Sequence, residues 1–410
     1  MHATHFIVRE PLLDPTQRVI GYELCWQQQG AQPATQSAAQ STDLAGLEDL
    51  VGFVAGLLVD DEQGWLLRDK LLFLHAVPAM LSLDALHALP PERTVLSIAV
   101  RDLANPDTRA AVQALRAGGV GIAIRGADLN LLGRNLAPLA THAEVRFTGA
   151  DVASQARAYA AAKASSLRLV GRPVTTWPDF DACAALGLDA FVGKLHLTPR
   201  PGPAVKGMNP AQAIILQLMQ MVQNNEDVPK IEAVLKRDPT LIYKLLRFIN
   251  SAGFGAGREV QSLRQAITML GYAPLYRWLV LLLATASTSG YSPVLMETAV
   301  VRARLCELLG SAHLARGEGE YLFVAGMFSL LDRLLGLPMA AVLEAVQLPD
   351  QVVRALLTRE GTYGPYLALA EACELNSNLV SALAGGVNLR PLEVNGAHLS
   401  ALAWAQNVAG

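Results

Sequence analysis

Short apolar runs recur through the first half of the chain, from Phe6 to about Leu197. A hairpin-like opening, "VREPLLDPTQRVIGYELCWQ", is followed by "LLFLHAV" from Leu71, "VLSIAV" from Val95 and "VGIAIRG" from Val120. "EVRFTG" from Glu144, "LRLVGR" from Leu167 and "AFVGKL" from Ala190 continue the series. Most of these runs are apolar on both faces, and amphipathic stretches such as "NPDTRAAVQALRAGG" and "DVASQARAYAAAKAS" separate them. Strands without a polar face, alternating with helices, predict a parallel sheet covered by helices. The βα units are regular and no Gly-rich phosphate loop opens the first helix, so the pattern predicts a closed barrel rather than an open sheet. The period then changes. "LTPRPGPAVKGMNP", Leu197 to Pro210, carries four prolines and two glycines and predicts a linker over 198–210. From "AQAIILQLMQMVQ" through "PTLIYKLLRFINSA" and "YLFVAGMFSLLDRLLG" to the Ala/Leu-rich end, only helical spacing remains. The expected organisation is α/β plus all-α: a TIM-like (β/α) barrel over 1–197, and a helical domain over 211–410.

Composition agrees with two folded domains. In 410 residues, 52% are hydrophobic and 17% charged, too apolar for a disordered chain. The longest apolar run, "LVLLLATA" from Leu279, is under half of the ~20 residues that span a bilayer, so no membrane partner is expected. "MHATHFIVREP" has no basic region followed by an apolar stretch, which predicts a cytoplasmic protein. The four cysteines are scattered without a CxxC pair, suggesting neither a zinc knuckle nor a disulfide framework. A net charge of -3, with the part after Arg200 balanced, argues against nucleic acid as a partner.

Candidate chemistry sits where the strands end, since barrel enzymes place their reacting groups there. "GYELCWQ" presents Glu23, "LFLHAVP" His75, "VLSIAV" Ser97, and "IAIRGAD" Arg125 followed by Gly126. "EVRFTG" offers Arg146, and "LRLVGR" offers Gly171 and Arg172. A two-metal site needs several converging oxygen ligands, and one glutamate among arginines does not supply them. Hence no metal, no cofactor and no catalytic residue is expected. Glu23 is expected to pair with Arg125 or Arg146, and the two arginines would make the mouth a candidate anion site. His75, His196 and His313 lack partners at ligand spacing, and neither Ser97 nor Ser329 has a histidine placed for a nucleophilic triad. In the helical half, Lys244 and Arg247 share one face beside Tyr243 and form a candidate docking surface.

On these residues the first half resembles an EAL domain, the barrel that hydrolyses cyclic di-GMP, with "GYELCWQ" in the place of its namesake motif. The resemblance implies that Glu23 matches the metal-binding glutamate, while Cys25 and Gln27 replace the motif's later leucine and arginine. The family's metal-binding asparagine falls on His75, its next glutamate near Ser97, its Asp-Asp pair on Arg125 and Gly126, and its catalytic lysine on Arg146. Its late glutamate falls near Gly171, and its final glutamine on Val192. The second half resembles an HDOD domain through "VLKRDPTLIYKLLRFINSAGFG" and "VQSLRQAITMLGY". Related enzymes carry a His-Asp pair where this chain has Ser329 and Leu330. The resemblance to EAL-HDOD signalling proteins implies a non-catalytic regulator that works through protein partners of unknown identity in cyclic di-GMP-linked control, for example of motility or surface attachment. A metal-independent cyclic dinucleotide receptor is the alternative, residual phosphodiesterase activity is a further one, and a homodimer is left open.

Overall fold

The computed structural model describes residues 5–27, 44–126, 138–145, 166–198, 210–238, 241–245, 263–285, 293–315, 318–335, 337–345 and 348–409. Two compact units divide the chain. The first comprises Met1–Pro201, Ser292–Val294 and Glu371–Gln406, and the second Gly202–Tyr291, Leu295–Ala370 and Asn407–Gly410.

The first unit is built on a closed barrel. Its strands are β1 (Ile7–Leu13), β2 (Val19–Trp26), β5 (Leu71–His75), β6 (Thr94–Ala99), β7 (Gly121–Arg125), β8 (His142–Val145), β9 (Arg168–Gly171) and β10 (Ala190–Val192). A separate two-stranded ribbon, β3 (Val59–Asp60) and β4 (Gly64–Trp65), lies outside it. The order around the barrel is β1-β10-β9-β8-β7-β6-β5-β2. All neighbours from β2 round to β10 run parallel, as the apolar runs predict. β1 departs from a wholly parallel barrel, being antiparallel to both β2 and β10. The cause is local. The Asp14 carboxylate accepts from the backbone N–H of Thr16 and Arg18, and Gln17 takes a positive φ, making a turn too short for a crossover to a parallel strand.

Covering helices start where their capping residues sit. Asn105 caps Pro106–Ala117 by accepting from the N–H of Asp107, and Thr176 caps Trp177–Ala185 by accepting from Asp179. Residues Glu371–Gln406 group with the barrel rather than with the helices before them. The buried Asn395 amide accepts from Ile7 N–H at 2.8 Å and donates to His5 C=O at 2.8 Å, satisfying the chain just ahead of β1 and at its first residue.

The barrel is filled at mid-height by Leu12, Phe73, Val95, Ala123, Val170, Ala190 and Val192. Strand side chains alternate with period two, so the residues two places further toward the mouth also point inward. The next inward layer therefore holds Glu10, Glu23, His75, Ser97, Arg125, Glu144, Arg172 and Lys194, one from each strand or its immediate end. The apolar layer separates this polar layer from a cavity at the other end of the barrel, which Asp14, His142, Arg168 and Asp189 line together with Leu12 and Phe73.

The second unit is helical, and among the described residues no strand follows Val192. The "LVLLLATA" run lies largely in Tyr272–Thr285, where Leu279, Val280 and Leu283 are fully buried. No single helix among the described residues is long and apolar enough to cross a membrane. Helices Pro293–Gly310 and Glu318–Phe328 touch through Gly326, where a Cβ would stand 2.6 Å from Ala303 Cα.

Gly21 plays the same part in the barrel: a Cβ there would meet Leu71 C=O at 2.6 Å on the neighbouring strand. Gly21→Ala is expected to destabilise the barrel by about 1–3 kcal/mol through forced separation of β2 and β5, read as a lower urea midpoint by tryptophan fluorescence.

Candidate functional site

The inward polar layer at the barrel mouth is organised by one arginine. Arg172, directly after β9, donates from Nη1 to Glu23 Oε2 at 2.6 Å and from Nη2 to Glu23 Oε1 at 2.8 Å, a two-pronged pairing. Nη1 also reaches Glu144 Oε2 at 3.3 Å. The other Glu144 oxygen accepts from the Ser97 hydroxyl. On the opposite side Arg125 donates to His75 Nδ1 at 3.2 Å and to Ser97 C=O at 3.2 Å. A guanidinium can only donate, so His75 Nδ1 must be an acceptor and the ring proton sits on Nε2. Nε2 lies 3.1 Å from Glu23 Oε1, at an angle too bent for a full hydrogen bond, and is read as a close polar contact.

Electrostatics follow from burial. Glu23 keeps only 6% of its side-chain surface. Burial alone would raise its carboxyl, but the Arg172 guanidinium and then His75 outweigh it and hold Glu23 well below the usual carboxylate range. Glu10, facing Glu23 across β1 and β2, has the opposite fate: burial and the Glu23 charge push it up. Burial likewise pushes the Cys25 thiol far up, aided by Glu23 and Glu10. Desolvation lowers both Arg125 and Lys194. Among the described residues the layer holds three acids, Glu10, Glu23 and Glu144, against three bases, Arg125, Arg172 and Lys194. It is therefore balanced, where arginines at the strand ends had predicted a cationic mouth.

The structure brings four of the sequence candidates together: Glu23, His75, Ser97 and Arg125. Glu23 pairs with Arg172 rather than with Arg125, and Arg146 lies outside the described residues, as does Arg247. Gly126 follows β7 with φ +71, Gly171 closes β9, and Val192 is core. Gln27 donates from its side chain to Ser377 C=O at 2.7 Å, tying the end of β2 to the returning C-terminal segment. Sequence reasoning missed Glu144 and gave Arg172 no role. β8 begins at His142, two residues ahead of "EVRFTG", so Glu144 takes the inward place beside Ser97. The available signal was the period-two step from the apolar layer, which also selects Arg172 over Gly171.

In the second unit, Ser329 is buried and accepts from Arg302 Nη1 at 2.8 Å while donating to Gly326 C=O at 2.6 Å. Leu330 is core. Lys244 is exposed beside Tyr243, which keeps 65% of its surface.

The EAL resemblance would place divalent cations at Glu23. As arranged, the residues do not fit one: both Glu23 oxygens are engaged by a guanidinium, and no group of three His, Cys, Asp or Glu side chains among the described residues could hold a metal ion. No step is derived through a metal.

The chain is similar to several known proteins. The HDOD domain family matches residues 208–346. A Vibrio cholerae protein named cyclic di-GMP phosphodiesterase CdgJ is 26% identical over 378 residues, covering 90% of this chain and 85% of that protein. The uncharacterized protein YuxH of Bacillus subtilis is 30% identical over 195 residues, 47% of each chain. Among solved structures, Klebsiella pneumoniae BlrP1 in a calcium and cyclic di-GMP complex is 19% identical, covers 48% of this chain and 55% of that one, and superposes with a TM-score of 0.37. A standalone EAL protein of Vibrio cholerae O395, bound to cyclic di-GMP, is 15% identical over 47% of this chain and 91% of its own, with a TM-score of 0.34. The chain carries an HDOD domain behind an eight-stranded closed barrel, the arrangement of an EAL-HDOD protein. One expectation is corrected. The strand-end residues had suggested a chain that is not an enzyme, whereas a relative matching most of both chains is named a phosphodiesterase and points to an enzyme.

Truncating Arg172 would strand two buried carboxylates. Arg172→Met is expected to cost about 3 kcal/mol, the lower end for a broken buried pair because Arg172 keeps 19% of its side-chain surface. The folded Glu23 carboxyl lies below its unfolded value of about 4.3, so its contribution is complete at neutral pH and is lost as the pH falls from about 4 through the folded value. Urea unfolding at several pH values should show the gap between wild type and Arg172→Met narrowing on acidification.

Proposed function

We propose that the protein works in cyclic di-GMP signalling, with the polar layer at the barrel mouth as the place where the dinucleotide meets the chain. The HDOD region then serves as the surface through which the signal reaches a protein partner. The observation that supports this reading most is Arg125. Its Nη groups are held by His75 and Ser97 C=O, and its Nε–H is buried without a hydrogen-bond partner. A guanidinium pre-positioned by these contacts on a half-buried side chain suits a phosphodiester oxygen, which guanidinium groups bind with charge-assisted hydrogen bonds. Lys194, next to Glu10 in the same layer, adds a second cation for the diester charge. Phosphodiester hydrolysis is the activity named for the Vibrio relative, and a site that neutralises the diester serves binding and turnover alike. For the partner surface, the support is the exposed Tyr243 and Lys244, an aromatic beside a flexible cation on a helical face.

Calorimetric titration of the full chain with cyclic di-GMP, with and without magnesium or manganese, tests the reading when the mixture is then checked for linear dinucleotide. Saturable binding is expected, with turnover the result to which the relative's name leads. Arg125→Ala should weaken binding by roughly 10–100-fold, the loss of a charge-assisted contact. No heat at millimolar ligand and no linear product would contradict it.

A further inference from the structure

The mismatch between this mouth and a divalent cation has a specific author, Arg172. Its Nη1 stands 2.6 Å from Glu23 Oε2 and 3.3 Å from Glu144 Oε2, so one positively charged nitrogen lies within reach of two carboxylates from strands on opposite parts of the barrel. Hard divalent ions draw oxygen ligands in to about 2.0–2.6 Å, and an ion gathering these two carboxylates would have to occupy that same place. The imidazole of His75, 3.1 Å from Glu23, completes a ring of donors around it. Beneath lie Phe73 and Val170, which offer the two carboxylates no hydrogen-bond donor, so at this level they are held by Arg172.

We propose that the Arg172 guanidinium is the resident cation of this barrel: it holds Glu23 and Glu144 in the convergence that a divalent ion would otherwise impose, and it competes with such an ion for both. The competition is unequal because the guanidinium is tethered to β9. An incoming ion must displace a group whose local concentration never falls, and must leave the displaced arginine to find water. Glu144 is essential to this role, since a guanidinium paired with Glu23 alone would leave the second carboxylate buried and open to a metal. The proposal does not depend on cyclic di-GMP, and it bears on metal occupancy whether or not the dinucleotide reading holds.

Manganese uptake by the full chain, freed of metal with EDTA, tests this directly by titration followed by electron paramagnetic resonance of the free ion. Wild type is expected to take up Mn2+ only weakly, in the millimolar range and without dependence on Glu23. Arg172→Met should bind one Mn2+ per chain at least about tenfold more tightly, and Glu23→Gln in the Arg172→Met background should abolish the gain. A folded Arg172→Met protein that binds no more tightly than wild type overturns the proposal. So does micromolar Mn2+ uptake by wild type that Glu23→Gln removes. Should Arg172→Met not fold, wild type against Glu23→Gln decides: equal weak uptake supports the resident cation, and loss of uptake in Glu23→Gln overturns it. Failure of cyclic di-GMP to bind would leave each of these outcomes unchanged.

Discussion

A guanidinium lying between two buried carboxylates sets the terms for the rest of the barrel mouth. Glu23 and Glu144 are buried carboxylates that both accept from Arg172, and the largely buried guanidinium finds in them the acids that receive its donors. Once the three are joined, the neighbouring groups have fixed roles. Ser97 turns its hydroxyl to Glu144, His75 presents Nδ1 to Arg125, and Arg125 is left with one donor facing no partner. Among the described residues the charge of the layer is balanced within the barrel itself, three acids against three bases.

Much of this scaffold is legible in the chain. Apolar runs without a polar face locate the strands, and the loss of that pattern after Leu197 locates the change to helices. Glu23, His75, Ser97 and Arg125 are likewise found by asking what stands at each strand end. What escapes is phase. Reading "EVRFTG" as the strand puts Arg146 at its mouth, whereas the strand begins at His142 and turns Glu144 inward, and a one-residue difference at the end of β9 separates Gly171 from Arg172. Because side chains alternate with period two, the one-residue error on β9 exchanges an inward residue for an outward one, while the two-residue shift on β8 keeps the face and changes the level, and each alters the chemistry of the site. The antiparallel β1 is legible in the short Asp14–Arg18 turn. The return of Glu371–Gln406 to the barrel is not, because it rests on Asn395 reaching the backbone at His5 and Ile7 across the length of the sequence.

The helical unit shows a related solution. There the buried Ser329 receives the side chain of the buried Arg302, and Gly326 brings the two helices close together beside that contact. In each unit an arginine donates to a buried polar side chain, to Glu23 and Glu144 in the barrel and to Ser329 in the helices.

The position of the Arg172 side chain decides the matter, and a crystal structure of the full chain grown in submillimolar manganese chloride, with anomalous data collected at the manganese edge, reads that position without reference to activity. The account predicts the Arg172 guanidinium between Glu23 and Glu144 with no anomalous peak at either carboxylate. A manganese peak bound by Glu23, with Arg172 turned away, would contradict it.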